Sequence, residues 1–166
     1  LYERSGRKSQ KWQTNLLKAI LSKTKKGLWV HTKFGYSVPR RNGKNEIIAM
    51  RELYGLNKGK HINHTAHRTT TSHAAWERLL RIISQAGFKE DIDYTSLRAS
   101  GREKIEFLKT GGVIEFRTRT STGGLGEGFD LLVIDEAQEY TDDQQSALKY
   151  VVTDSQNPQT IFCGTP

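Results

Sequence analysis

The sequence predicts an α/β domain built on a mostly parallel sheet, with one antiparallel hairpin added. Strand-like and helix-like patterns alternate along nearly the whole chain, the arrangement that parallel sheets with crossover helices require. The stretch from Phe129 to Ile134, apolar except for Asp130, reads as a strand covered on both faces. The 166 residues contain three Pro, with no repeat and no low-complexity segment, so no internal domain boundary is expected within 1–166.

The elements follow in order. Trp12 to Leu21 carries apolar residues at 12, 16, 17, 20 and 21, a helical stripe. Leu28 to Val38 follows Gly27 and is rich in β-formers, so it reads as a strand. Asn45 to Leu56 reads as a helix, and Lys60 to Thr65 as a short strand. From Thr71 to Ala86 the spacing of Ala75, Leu79, Ile82, Ile83 and Ala86 places one apolar face on a helix, with Thr71 or Ser72 as cap and Gly87 as stop. Glu103–Leu108 and Val113–Arg119 flank Thr110-Gly111-Gly112, a hairpin signature. Residues 121–128 hold four glycines and read as a mobile loop. Thr141 or Asp142 caps a helix to about Thr153, and Thr160 to Cys163 forms a last strand.

Composition narrows the function classes. No apolar run approaches the roughly 20 residues of a membrane span. A lone Cys163 cannot form an internal disulfide, which favours a reducing compartment. The chain starts at Leu1 without a signal-peptide pattern and reads as part of something longer. The net charge of +8 suits an anionic partner such as nucleic acid or nucleotide. Its distribution is uneven: residues 1–60 hold fifteen Lys and Arg against Glu3, Glu46 and Glu52. Residues 1–11 alone are equally well a solvated basic tail.

Two segments carry chemistry. Val38-Pro39-Arg40-Arg41-Asn42-Gly43-Lys44-Asn45 lies between a predicted strand and a predicted helix, the position of a phosphate-binding loop. Backbone N–H groups at a helix N-terminus point at an anion there. Gly43 allows close approach, Lys44 reaches the β- and γ-phosphates, and Arg40 and Arg41 can neutralise further charge. Val38 and Asn45 replace the first Gly and the final Ser/Thr of the usual G-x-x-x-x-G-K-[ST] pattern. The second segment is Leu131-Leu132-Val133-Ile134-Asp135-Glu136. A buried strand ending in two carboxylates suits Asp135 to Mg²⁺ and Glu136 to polarising a water for attack on a γ-phosphate. Together they predict a P-loop NTPase that binds ATP with Mg²⁺.

With these motifs in view, the sequence resembles the ATPase domain of the large subunit of tailed-bacteriophage terminases. Five stretches carry the resemblance: Lys11-Trp12-Gln13, Pro39-Arg40-Arg41-Asn42-Gly43-Lys44, Thr65-Ala66-His67 with the helix after it, Arg119 with the glycine loop, and Gly164-Thr165-Pro166. The resemblance implies a RecA-like fold of the additional-strand, catalytic-Glu type, with the strand ending at Cys163 between the two motif strands. It implies that Gln13 contacts the adenine, that Asn42 belongs to the phosphate loop, and that Thr165 couples γ-phosphate loss to motion. Asn45 departs from the family's Ser/Thr but still offers a carboxamide oxygen to Mg²⁺. Full function would be ATP-driven movement of double-stranded DNA into a capsid in the host cytoplasm. The partners would be the portal protein and small terminase subunit, in a homo-oligomeric ring. The nuclease domain's acidic cluster has no counterpart, so no nuclease activity is expected.

Arg117 and Arg119 share one side of a strand. The resemblance makes Arg119 an arginine finger reaching a neighbouring subunit's nucleotide; the alternative is a solvated edge charge. His61, His64, His67 and His73 lack helical spacing and read as surface or DNA-facing residues, not metal ligands. Trp12, Trp29 and Trp76 read as core or half-buried. Two other functions stay open: a superfamily 2 helicase-like ATPase, which normally has an intact G-x-x-x-x-G-K-[ST] loop, and a non-hydrolysing nucleic-acid-binding module.

Overall fold

The computed structural model describes residues 1–119, 128–148 and 151–166. Seven strands form one sheet in the order β1-β7-β6-β2-β5-β4-β3. They are β1 (Lys33–Ser37), β2 (His61–Ala66), β3 (Tyr94–Leu97), β4 (Arg102–Phe107), β5 (Val113–Thr118), β6 (Leu131–Ile134) and β7 (Gln159–Gly164). The pairs β1/β7, β7/β6, β6/β2 and β2/β5 are parallel. The pairs β5/β4 and β4/β3 are antiparallel. The sheet is therefore mostly parallel with an antiparallel edge, and β7 lies between β1 and β6, as expected. Four helices complete the described fold: α1 (Lys11–Ile20), α2 (Lys44–Asn57), α3 (Thr69–Gln85) and α4 (Asp142–Leu148).

The period of two along β6 divides the core. Leu131 and Val133 join Ile62, Phe116 and the apolar faces of α2 and α3 in the larger cluster. Leu132 and Ile134 turn to the other face and pack with Phe129, Leu148 and Val151. All four residues of β6 are buried, which explains why its sequence shows no polar alternation.

Four expectations change. The strand foreseen over 28–38 shortens to Lys33–Ser37, because the segment before it is used elsewhere. Trp29 donates its backbone N–H to Asn157 Oδ1 and its indole N–H to Asn157 O, fixing that segment to the loop before β7. Strand β3 was not foreseen: it is four residues long, and within it Tyr94 alone is buried, so it lacks an alternating pattern. The described part of the last helix is Asp142–Leu148, and residues 151–154 form a turn, so the helix does not reach Thr153. The basic N-terminal stretch docks instead of trailing. Tyr2 donates its hydroxyl to Glu46 at 2.6 Å, and Arg7 pairs with Glu46 at 3.3 Å. The glycine-rich stretch expected as a loop lies, apart from Gly128, outside the described residues.

Candidate nucleotide site

The parallel strands deliver their C-terminal ends to one side of the sheet. β1 runs into the loop 38–43, β2 into His67 and Arg68, β6 into Asp135 and Glu136, and β7 into Thr165. These ends surround a cavity of about 510 Å³, within the range of small-molecule sites. Arg40, Arg41, Gly43, Lys44, Asn45, Asp135, Glu136 and Thr165 all line it. Gln13, Asn42 and Arg119 do not.

The loop is shaped by two left-handed residues, Arg41 (φ 65°) and Gly43 (φ 84°). Glycine suits position 43 on two counts: the dihedral disfavours a side chain, and a Cβ there would stand 2.5 Å from Gln13 Nε2 and displace that amide. Gln13 has both polar ends hydrogen-bonded. Its Nε2 donates to Gly43 O at 3.0 Å, and its Oε1 accepts from Gln10 N at 2.8 Å. In this arrangement Gln13 props the phosphate loop, and its amide keeps a second N–H and a second lone pair beyond these two bonds. Asn42 is likewise turned inward on the loop, donating to Pro39 O and Arg40 O. Trp12 stays 37% exposed, with its ring beside Gly43.

At the centre, Lys44 Nζ meets Asp135 Oδ1 at 3.4 Å. Asp135 also accepts from Glu136 N at 2.8 Å, from His64 Nε2 at 3.2 Å on Oδ2, and from the Cys163 thiol at 3.6 Å. Burial pushes its carboxyl up. The hydrogen bond and charge of His64, with Lys44, push it further down, well below the usual carboxylate range. Burial and the Asp135 charge push the Cys163 thiol well up, so it stays protonated.

His64 is the residue that the sequence reading misplaced. It is 2% exposed, not a surface residue, and its other nitrogen meets the buried Glu52 carboxylate at 2.7 Å. Burial lowers its basicity, but Glu52 and Asp135 outweigh this and raise it to about 10. Glu52–His64–Asp135 is thus a buried line of carboxylate, imidazolium and carboxylate. The spacing of Glu52 within α2 and His64 within β2 gives no hint of it.

Glu136 adopts a left-handed conformation, φ 53°. Its carboxylate is held by the start of α3: it accepts from His67 N at 3.0 Å, Arg68 N at 3.1 Å and the Thr71 hydroxyl at 2.6 Å. Arg68 and Arg78 add two cations to the cavity wall that the motif reading had not singled out. Thr165 N donates to Gln138 Oε1 at 3.2 Å, linking the end of β7 to the turn after Glu136.

Arg119 is 4% exposed. It donates to Asp135 O at 2.6 Å, Thr65 O at 3.1 Å and Glu136 O at 3.2 Å, and its pKa is lowered by burial. A guanidinium spent on three carbonyls of its own chain is neither a solvated edge charge nor, in this arrangement, extended toward a neighbour. His61 and His67 are exposed, while His73 sits between Glu77 and Glu103. Among the described residues, no group of three or more His, Cys, Asp or Glu is placed to hold a metal. Likewise, none of the described helices is long and apolar enough to cross a membrane.

Comparison with known proteins places the fold. The structure is similar to the HK97 bacteriophage large terminase, with a TM-score of 0.73 and 14% identity over 95% of this chain. It is similar to the large terminase ATPase domain of Thermus phage P74-26, with a TM-score of 0.63 and 15% identity over 99% of this chain. It is also similar to a large terminase from another thermophilic bacteriophage in complex with ADP, with a TM-score of 0.70 and 12% identity over 93% of this chain. The chain spans 33% of the HK97 protein, 38% of the ADP-bound terminase and 68% of the P74-26 domain. At these identities the likeness is one of fold, the RecA-like fold of large terminase ATPase domains. No family model matches the sequence, and no curated protein matches it.

The buried charge line has a stability consequence. His64 rises from 6.5 to about 10 on folding, so its contribution is complete below pH 6.5 and is lost as pH climbs through about 10. His64→Gln leaves two buried carboxylates facing a neutral group and should cost about 3–5 kcal/mol near neutrality. Urea unfolding at pH 6.5 and at pH 10 should show the gap between parent and variant narrowing at the higher pH. A gap of constant size would mean that His64 folds as the neutral ring.

Proposed function

We propose that the chain is the ATP-hydrolysing motor domain of a terminase large subunit, which drives double-stranded DNA into a viral capsid. The meeting of Lys44 with Asp135 at 3.4 Å, with Glu136 next in sequence, supports this most directly. It joins the two motifs, ninety-one residues apart, at the strand ends where ligands of parallel sheets bind.

The residues divide the work. The left-handed turn at Arg41 and Gly43 aims the first N–H groups of α2 at a phosphate. Lys44 exchanges Asp135 for the β- and γ-phosphates as the triphosphate enters, while Arg40 and Arg41 offset its charge. Asp135 and Asn45 bring oxygen donors to the cavity, and the Asp135 carboxyl is held ionised, a set that fits Mg²⁺. When bound there, the ion would supply neutralisation of charge on the β- and γ-phosphoryl oxygens. Glu136 releases at least one of its three hydrogen bonds to His67, Arg68 and Thr71 and orients a water toward the γ-phosphorus. Thr165, tied through Gln138 to the turn after Glu136, carries loss of the γ-phosphate to β7. Arg119 positions the ends of β2 and β6 relative to each other through its bonds to Thr65, Asp135 and Glu136.

The wider role follows from the same reading. DNA contacts would be phosphate contacts, independent of sequence and strongly weakened by salt. A ring of subunits, the portal protein and the small terminase subunit are the proposed partners, in the host cytoplasm. Nuclease activity is not part of the proposal.

Three substitutions test it. Lys44→Ala should weaken a labelled ATP analogue by roughly a hundredfold, since charge-assisted contacts to phosphate contribute about 1.5–3 kcal/mol each; unchanged binding would remove the phosphate-loop assignment. Glu136→Gln should bind ATP like the parent while turnover falls by about 10²–10⁴, the range for loss of a general base. Turnover at the parent rate would take Glu136 out of the chemistry. Arg119→Ala should lose activity in proportion when mixed with parent subunits, because each guanidinium serves its own chain. Poisoning beyond the fraction added would show that it acts across a subunit boundary.

A further inference from the structure

A second cavity, of about 320 Å³, opens at the opposite end of the sheet, where the parallel strands begin. Lys60 and Asp130 stand just before β2 and β6, and Lys58 follows the last turn of α2. Lys23 and Trp29 come from the segment ahead of β1. We propose that this cavity binds a phosphate group, of a nucleic acid backbone or of a small free phosphate.

Charge is the first ground. Lys23, Arg51, Lys58 and Lys60 line the cavity against a single carboxylate, Asp130. Both Asp130 oxygens are already engaged, one accepting from His61 N at 3.0 Å and the other from the Ser155 hydroxyl at 2.8 Å. Arg51 is 2% exposed, yet no carboxylate pairs with it among the described residues. Its one hydrogen bond among them is from Nε to Gln159 Oε1 at 2.9 Å. A buried guanidinium without a counter-ion is costly, and burial lowers its pKa to about 10. An anion bound beside it relieves that cost.

Preorganisation is the second ground. The guanidinium lies 4.7 Å from the Trp29 ring centroid, and Lys23 Nζ is also 4.7 Å from it. Lys58 Nζ is 5.8 Å from the Tyr54 ring, and the Tyr54 hydroxyl accepts from Lys23 Nζ at 3.2 Å. Ring contacts of this kind hold cations in place without neutralising them. Trp29 is itself fixed by both of its N–H groups to Asn157. The two rings are occupied by cations, which disfavours base stacking. A phosphate, whose three or four oxygens accept from several cations at once, suits this lining.

The test follows the indole N–H signals of the 166-residue chain in ¹H–¹⁵N spectra. Trp29 reports this cavity, and Trp12, beside Gly43, reports the triphosphate cavity. One arm titrates inorganic phosphate, the other a short DNA duplex, each against chloride at matched ionic strength. Trp29 should shift in a saturable way in at least one arm. Lys58→Ala/Lys60→Ala should weaken that binding tenfold or more, while Lys44→Ala should leave it unchanged. A response to duplex at far lower concentration than to phosphate identifies the backbone as the source, and a response to phosphate alone identifies a free anion. A Trp29 signal that is still in both arms overturns the proposal. So does a shift of equal midpoint in the double-lysine variant, or one that chloride reproduces. Because Lys44→Ala acts only on Trp12, failure at this cavity and failure of the ATPase reading are told apart.

Discussion

Much of this structure depends on keeping the Asp135 carboxylate ionised in a site with little access to water. An isolated carboxylate there would take up a proton, since burial disfavours the charge. Three donors prevent this, His64 from the middle of β2, Lys44 from the start of α2 and the backbone of Glu136, while the Cys163 thiol of β7 donates beside them. Each donor sits where the sheet order puts it. β7 brings Cys163 alongside only because it runs between β1 and β6. The charge and the topology are therefore one constraint. A strand order that separated β1 from β6 differently would leave Asp135 without its partners.

The parts legible in the sequence were those whose signal is local. An apolar strand ending in Asp135-Glu136 and a basic turn ending in Gly43-Lys44 announce themselves within a few residues. Their placement on parallel strands follows from the alternation of elements. What was not legible depended on pairings across the fold. His64 looks like one of several scattered histidines until Glu52, twelve residues back, and Asp135, seventy-one residues on, close on its two nitrogens. Gln13 carries a motif-like pattern, but its bonds to Gly43 O, thirty residues on, and to Gln10 N, which tie it to the phosphate loop, show only in the fold. Trp29 reads as part of a strand because its neighbours are β-formers. Its two bonds to Asn157, 128 residues away, take it out of the sheet.

Helix α2 links the two cavities. Its N-terminus carries Lys44 into the cavity at the strand C-terminal ends, and its C-terminus gives way to Lys58 at the second cavity. Fourteen residues at 1.5 Å each make a rod of about 21 Å between them. Glu52, which holds His64, and Arg51, which lines the second cavity, are adjacent on this helix. One buried side chain thus faces the Asp135 cluster while its neighbour faces the other end. A rigid helix buried along most of its length transmits displacement, where a loop absorbs it.

Arg119 shows how the strand ends are kept in register. Its guanidinium spans from Thr65 O at the end of β2 to Asp135 O and Glu136 O just beyond β6. Thr65 O also accepts from Asp135 N at 2.8 Å and Glu136 O from Glu139 N at 2.9 Å, so the guanidinium adds a second donor to carbonyls already in use at the strand ends. A lysine gathers its three N–H donors on one atom, whereas the planar fork of arginine spreads its donors over three nitrogens and reaches acceptors on separate strands. The same geometry bears on Glu136. Its backbone is held by Arg119 and its carboxylate by His67, Arg68 and Thr71 at the start of α3. Main chain and side chain are thus anchored to separate elements. The proposed water-orienting role asks the carboxylate to move while the main chain stays fixed, and these separate anchorages permit it.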